Sequence, residues 1–291
     1  MKTPLTSLLM VTVATLSAAV FAAETPAPTF PADKIPNSEL RVLPPSPTGR
    51  QYQLHIGLPS SYGTQPNKRY PVVYVTDGYW HLLMVSPIES GLVHDKYSPE
   101  FITVGLGYAG QDLDYGTMRR WELTPAPTTD TSGHAADFLK SIKTEIIPFV
   151  EREYRADPSY RVLMGASLGG LFTLYSMYAE PGLFNAYVAA TPSLNVGNDW
   201  MFGFEETFAK SNRKLSGRLF VSTGGNEAPS SVSTVLRFNQ RIASHQNYGL
   251  TYRFRVIDDE RHAGMQFESY QRGLRFAFEP LAPETGPTAD R

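Results

Sequence analysis

The chain has 291 residues, of which 42% are hydrophobic, 19% charged and 12% aromatic. That composition excludes a mainly disordered or collagen-like chain, and the length suits one α/β domain of about 250 residues. With no cysteine there is no disulfide, thiolate metal site or cysteine nucleophile, and a formal net charge of −2 lacks the basic footprint of a nucleic-acid binder.

Lys2 precedes an apolar run from Leu8 to Ala23, interrupted only by Thr and Ser. The run is short for a membrane span, which takes about 18 residues or more, and it ends in the small residues Ala22-Ala23 before Glu24. Residues 1–23 therefore read as a secretory signal peptide, with export to a periplasm or the medium and no membrane span after cleavage. Residues 24–48 hold seven prolines and are expected to form an extended arm or linker. The domain is expected over residues 49–280, with a C-terminal tail at 281–291.

Within the domain, strand and helix signals alternate. In residues 51–58, Tyr52, Leu54, Ile56 and Leu58 share one face, the pattern of a half-buried strand. The apolar runs at 71–76 and 101–105 suit central strands covered on both faces. Residues 136–154 carry Phe138, Leu139, Ile142, Ile146, Phe149 and Val150 at helical spacing, with a kink expected at Pro148. A strand at 161–165 and a helix at 168–178 follow, then strands at 186–192, 218–223 and 251–257 and helices at 231–246 and 264–277. This alternation predicts an α/β fold: a mainly parallel sheet with helices on both faces. Ligands of such sheets bind outside the carboxyl ends of the strands.

Gly165-Ala166-Ser167-Leu168-Gly169 matches G-x-S-x-G. The pattern is common by chance in a chain with 23 glycines; its setting gives it meaning. A strand runs into it and an apolar helix runs out, the arrangement of a nucleophile elbow that exposes the serine hydroxyl above the sheet. A serine needs a base, and the base an orienting acid, which in such elbows follow in the order Ser, acid, His. Of six histidines only His245 and His262 follow Ser167. His262 lies in the loop after the last strand and is the expected base. For the acid, Glu227, just past the strand at 218–223, is preferred, with Asp199 as the rival. The oxyanion donors are expected to be the amides of Leu168 and of Tyr79, the latter in the turn Asp77-Gly78-Tyr79. No His pair stands at metal-ligand spacing, and neither a metal nor another cofactor is expected.

Several further segments carry a likeness. Tyr70-Pro-Val-Val-Tyr-Val-Thr-Asp-Gly78, Glu145-Ile-Ile-Pro-Phe-Val-Glu151, Tyr154-Arg-Ala-Asp-Pro158, Gly165-Ala-Ser-Leu-Gly-Gly170, Leu183-Phe-Asn-Ala-Tyr187 and Thr191-Pro-Ser-Leu194 occur in one order over most of residues 50–280. As a set they resemble the putative-esterase family of α/β hydrolases, which includes esterase D-like enzymes, mycolyltransferases and enterochelin-type siderophore esterases. The resemblance implies an α/β-hydrolase fold and a serine carboxylic-ester hydrolase, with Ser167, His262 and the Tyr79 amide at matching positions. Arg119-Arg120-Trp121-Glu122-Leu123-Thr124-Pro125 is similar to the arginine-bearing stretch of periplasmic siderophore esterases. It implies that Arg119 or Arg120 binds a carbonyl or an anionic iron–catecholate, and hence a small ester substrate such as a ferric siderophore. Asn195-Val196 stands where many relatives carry aromatic residues. A short-acyl or feruloyl-type esterase and an acyltransferase would share the same reacting residues; a non-catalytic binder would not need them. Residues Val196–Leu215, rich in aromatics, read as a cap over the site or as a buried helix.

Overall fold

A computed structural model describes residues 35–283 apart from 212–213 and 246–248; the expected signal peptide, most of the Pro-rich arm before Ser38 and the end of the C-terminal tail lie outside the described residues. Eight strands form one sheet: β1 (Ser38–Val42), β2 (Tyr52–Gly57), β3 (Tyr70–Val75), β4 (Ile102–Tyr108), β5 (Ala156–Ala166), β6 (Ala186–Ala190), β7 (Gly217–Gly224) and β8 (Leu250–Ile257). Their spatial order is β1-β2-β4-β3-β5-β6-β7-β8. β1 and β2, and β2 and β4, pair antiparallel; every later pairing is parallel. The carboxyl ends of β3 to β8 therefore share one edge.

Among the described residues the α-helices are α1 (Gly78–His94), α2 (Tyr115–Leu123), α3 (Ala135–Ser141), α4 (Ile147–Glu153), α5 (Leu168–Ala179), α6 (Trp200–Lys210), α7 (Pro229–Ser244) and α8 (Met265–Phe278). Alternation along the central strands feeds two cores. Tyr70, Val72 and Tyr74 of β3 join the cluster with Phe138, Phe172, Phe208 and Phe238, from α3, α5, α6 and α7. Val73 and Val75 join the opposite cluster with Val85 and Leu92 of α1 and Tyr270 and Leu274 of α8. A strand buried on both faces needs an unbroken apolar run, which is why 71–76 lacks the alternation seen in β2.

Two elements differ from the sequence expectation, and a third follows one of its two readings, the buried helix. Ser38–Val42, inside the Pro-rich arm, is a strand paired to β2 from Ser38↔Gly57 to Val42↔Gln53. Helix 136–154 is continuous in space, but Ile142–Ile146 is wound as a π-helix between α3 and α4. That wider turn comes just before Pro148, whose ring and missing N–H an α-helix interior would not tolerate. The aromatic segment at 196–215 contains α6, which buries Met201, Glu205 and Phe208. Among the described residues no helix is long and apolar enough to cross a membrane.

One partly buried carboxyl on α1 makes stability depend on pH. Burial pushes Glu89 up from 4.5 to about 7, although it accepts the Phe101 amide at 3.2 Å. A carboxyl raised in the folded state contributes stability that is complete below 4.5 and is lost as pH rises through 7. Glu89→Gln keeps the acceptor and removes the charge. Melting curves at pH 4.5 and pH 8 should show the variant about 2–5 °C more stable at pH 8 and little different from the parent at pH 4.5.

Candidate active site

The elbow forms because β5 must reverse into α5 within one residue. Ser167 does this at φ 58°, ψ −119°, a region costly for any residue with a Cβ, by about 1–3 kcal/mol. Its backbone is held on both sides: Ser167 N–H donates to the Ala190 carbonyl, and the Ser167 carbonyl accepts from the amides of Leu171 and Ser193, all at 3.0 Å. The glycines are demanded by proximity. A Cβ on Gly165 would lie 2.5 Å from Thr76 Oγ1, one on Gly170 would lie 2.9 Å from the Ala190 carbonyl, and one on Gly169 would collide with Thr76 Oγ1.

Thr76 opens the turn that follows β3. Asp77 sits in the left-handed region at φ 55°, ψ 44° and precedes α1. Its carboxylate is held by a two-pronged pair with Arg119, Nε to Oδ1 at 2.6 Å and Nη2 to Oδ2 at 3.0 Å. The fork geometry fixes the carboxylate in orientation as well as position. Gly78 is required because its Cβ would collide with the backbone of Gly105 in β4. Behind the turn, buried His81 donates from Nδ1 to the Thr76 carbonyl at 2.7 Å, and its ring stands edge-on to Tyr270. Burial lowers the His81 pKa, partly offset by Asp77 and the Thr76 carbonyl. The amides of Leu168 and Tyr79 lie in the first turns of α5 and α1, and among the described residues neither has a protein acceptor.

The acid and base come from neighbouring parallel strands. β7 and β8 stay in register to Gly224↔Ile257, so the loops after them leave the sheet side by side. Gly225 N–H donates to the Ile257 carbonyl at 2.8 Å and Asn226 N–H to the Glu260 carbonyl at 2.9 Å. Between these loops His262 Nδ1 lies 2.7 Å from Glu227 Oε2. The Glu227 side chain is 2% exposed and that of His262 51%. Burial pushes the Glu227 carboxyl up, but His262, Thr191 and the Gly224 amide outweigh it and hold the group below its usual range. Asp199, the other candidate acid, pairs with Arg237 instead.

The loop after β6 completes the edge. Ser193 Oγ is 3.1 Å from Ser167 Oγ, and Thr191 Oγ1 is 3.5 Å from His262 Nδ1. Thr191, Ser193, Asn195, Glu227, Thr234 and His262 border a small cavity of about 30 Å³. Neither Thr191 nor Ser193 is assigned a role from sequence; the only signal was their place in Thr191-Pro-Ser-Leu194. Arg119 is one-fifth exposed and committed to Asp77, while Arg120 is exposed on another side of α2. A larger cavity of about 370 Å³, bordered by Arg50, Tyr52, Trp121, Glu122 and His134, contains none of the elbow or histidine-loop residues. Among the described residues no group of three His, Asp or Glu side chains is placed to hold a metal ion.

A mainly parallel sheet covered on both faces, with a serine elbow at its carboxyl edge, defines an α/β hydrolase. The chain belongs to the putative-esterase family, whose model matches residues 46–227, and it is a carboxylic ester hydrolase. It is 24% identical over 273 residues to the ferri-bacillibactin esterase BesA of Bacillus subtilis, covering 86% of this chain and 92% of that protein. It is 28% identical to the siderophore enterobactin esterase of Emericella nidulans, covering 80% and 77% respectively. Among solved structures, the BES protein from Bacillus cereus superposes with a TM-score of 0.76 at 26% identity, over 86% of this chain and 98% of that one.

The packing of Thr76 into the elbow can be tested by a double-mutant cycle. Gly169→Ala should destabilise by about 2–4 kcal/mol, because a side chain meets a packed neighbour. Combined with Thr76→Ala it should recover at least a third of that loss in urea unfolding. Additive effects of the two substitutions would show that the contact is not what requires glycine.

Proposed function

We propose that the protein is an exported serine esterase that hydrolyses the ester backbone of a siderophore, using Ser167 as nucleophile, His262 as base and Glu227 as the acid. The observation that carries the catalytic reading is the 2.7 Å contact from His262 Nδ1 to the buried Glu227 carboxylate, on the edge where the Ser167 elbow emerges. The siderophore reading rests on the relatives named above and on the arginine-bearing stretch at 119–125. The export reading rests on the apolar run of residues 8–23.

The chemistry follows from the parts. Glu227 accepts a hydrogen bond from His262 Nδ1–H and so leaves Nε2 as the free base. Ser167 Oγ attacks the ester carbonyl carbon as its proton passes to His262 Nε2. The amides of Leu168 and Tyr79 receive the developing oxyanion, helped by the positive end of α5. His262 then protonates the departing alkoxide, and the acyl-serine remains. Water, deprotonated by His262, attacks the acyl carbon and releases the acid and the serine hydroxyl. Ser193 holds the resting Ser167 hydroxyl. Arg119 has two tasks: it fixes Asp77, and therefore the turn carrying the Tyr79 amide, and it offers its exposed part to an anionic substrate. Arg120 adds exposed positive charge on the same helix.

Two experiments test this. Ser167→Ala should lower kcat by about 10³-fold or more and Glu227→Gln by about 10²–10⁴-fold, both with unchanged melting curves, whereas Asp199→Ala should stay within about threefold. Loss with Asp199→Ala and not with Glu227→Gln would exchange the two acids. For the substrate, the specificity constants on p-nitrophenyl butyrate and on a tris-catecholate trilactone, with and without iron, are compared on one preparation. A much larger value on the trilactone is expected; fast butyrate hydrolysis with an inert trilactone would leave a general carboxylesterase.

A further inference from the structure

Thr191 stands where the backbone least favours a side chain of its kind. It follows the last residue of β6, and its N–H extends the β6–β7 ladder by donating to the Ser222 carbonyl at 2.8 Å. There φ is 38°. Most of the other non-glycine residues with positive φ are Asp or Asn, which tolerate that region best. Among the described residues Thr191 is the only β-branched one, and a branched Cβ makes this region a true outlier. Glycine would turn the chain there without strain. Strain of this kind persists where the surroundings over-determine it, and at a reactive edge it points to the task of the side chain.

That side chain is buried and reaches the acid and base. Thr191 Oγ1 lies 3.5 Å from His262 Nδ1 and bonds the Glu227 carboxylate. The Nδ1 contact is too long for a hydrogen bond of full strength, and Nδ1 already faces Glu227 Oε2 at 2.7 Å. A carboxylate only accepts, so the Thr191 hydroxyl donates to it. Gly224 N–H donates to Oε1 at 2.9 Å. Glu227 thus receives a donor from each of three neighbouring strand ends: Thr191 after β6, Gly224 at the end of β7 and His262 after β8. Of these, the His262 ring is half exposed, whereas Thr191 is enclosed and tied to β7 through its backbone.

We propose that Thr191 is a positioning residue whose hydroxyl donates to Glu227 and keeps that carboxylate turned towards His262 Nδ1. This rests on the reading of Glu227 as the acid and adds a residue that acts only through it. Valine would serve the packing and the β6–β7 ladder equally well, since the ladder uses the backbone amide. The hydroxyl is therefore what separates this role from a structural one.

The test compares Thr191→Val, which keeps the branched shape, with Thr191→Ser, which keeps the hydroxyl, in the full-length protein on p-nitrophenyl butyrate. Thr191→Val should lower kcat about tenfold with KM within about twofold, and Thr191→Ser should stay within about threefold of the parent. In a Glu227→Gln background Thr191→Val should cost less than about twofold more, because the two residues act as one unit. Thr191→Ala, which also lacks the hydroxyl, replaces the valine variant if that melts early. A parent-like kcat in Thr191→Val, an equal loss in Thr191→Ser, or a loss that multiplies with that of Glu227→Gln overturns the proposal. A second readout is independent of turnover: the Glu227 carboxyl carbon, assigned by its loss in Glu227→Gln, is titrated by NMR. Its midpoint should lie about half a pH unit or more higher in Thr191→Val, since a lost donor disfavours the charged form, and should match the parent in Thr191→Ser. If Glu227→Gln leaves kcat unchanged, or the ester is not turned over, the catalytic reading falls and the titration alone decides. A midpoint raised only where the hydroxyl is missing upholds the hold on Glu227, and a midpoint indifferent to the hydroxyl overturns it.

Discussion

The reactive edge exists because three backbone turns approach more closely than side chains would permit. Thr76 lies against Gly165 and Gly169, Gly78 lies against Gly105, and Gly170 lies against the Ala190 carbonyl. These contacts set the spacing between the turn after β3, the elbow after β5 and the loop after β6. Everything catalytic hangs from that spacing. The two free amides come from the first two turns, and Ser193 reaches the Ser167 hydroxyl from the third. Strain at Ser167, Asp77 and Thr191, all with positive φ, is tolerated because the surrounding packing and hydrogen bonds over-determine it.

Electrostatics on this edge are organised as two buried carboxylates, each facing one basic side chain. Asp77 is answered by Arg119 and Glu227 by His262. An unpaired buried carboxylate would be protonated or would distort its turn. The pairings have different consequences. The guanidinium keeps its charge across the whole working range of pH, so the Asp77 pair is a permanent brace for the turn. The His262 ring is about half exposed, so the Glu227 pair reaches the surface. The same type of acid is held once by a fixed charge and once by an imidazole that reaches the surface.

Much of this arrangement was legible in the sequence, for local reasons. The apolar runs of β3 and β4, the strand-to-helix passage at Ser167 and the position of His262 after the last strand each depend on neighbours along the chain. Which of Glu227 and Asp199 meets His262 was not legible locally. It depends on the β7–β8 register, which brings Gly224 level with Ile257, and on Arg237 drawing Asp199 away. His81, Thr191 and Ser193 were invisible for the same reason: their partners are distant residues met only in space. The strand at 38–42 was hidden by the prolines on either side of it, because its order comes from pairing with β2 and not from its own composition. The roles of Arg119 and Asp77 as a pair, 42 positions apart, could be read only once α2 was laid beside the turn.

The two ends of the sheet are unlike each other, and this bears on the protein's behaviour in a crowded compartment. At one end β1 lies antiparallel across β2, drawn from a segment where proline removes backbone donors. At the other end β8 is last in the order, and Arg253 and Arg255 alternate along its partly exposed length. A bare strand edge invites another copy to add itself by main-chain hydrogen bonds; like charges on that edge repel the intruder before the bonds can form. The third border, where the strands end, carries the serine elbow and the histidine loop and is open to a small molecule.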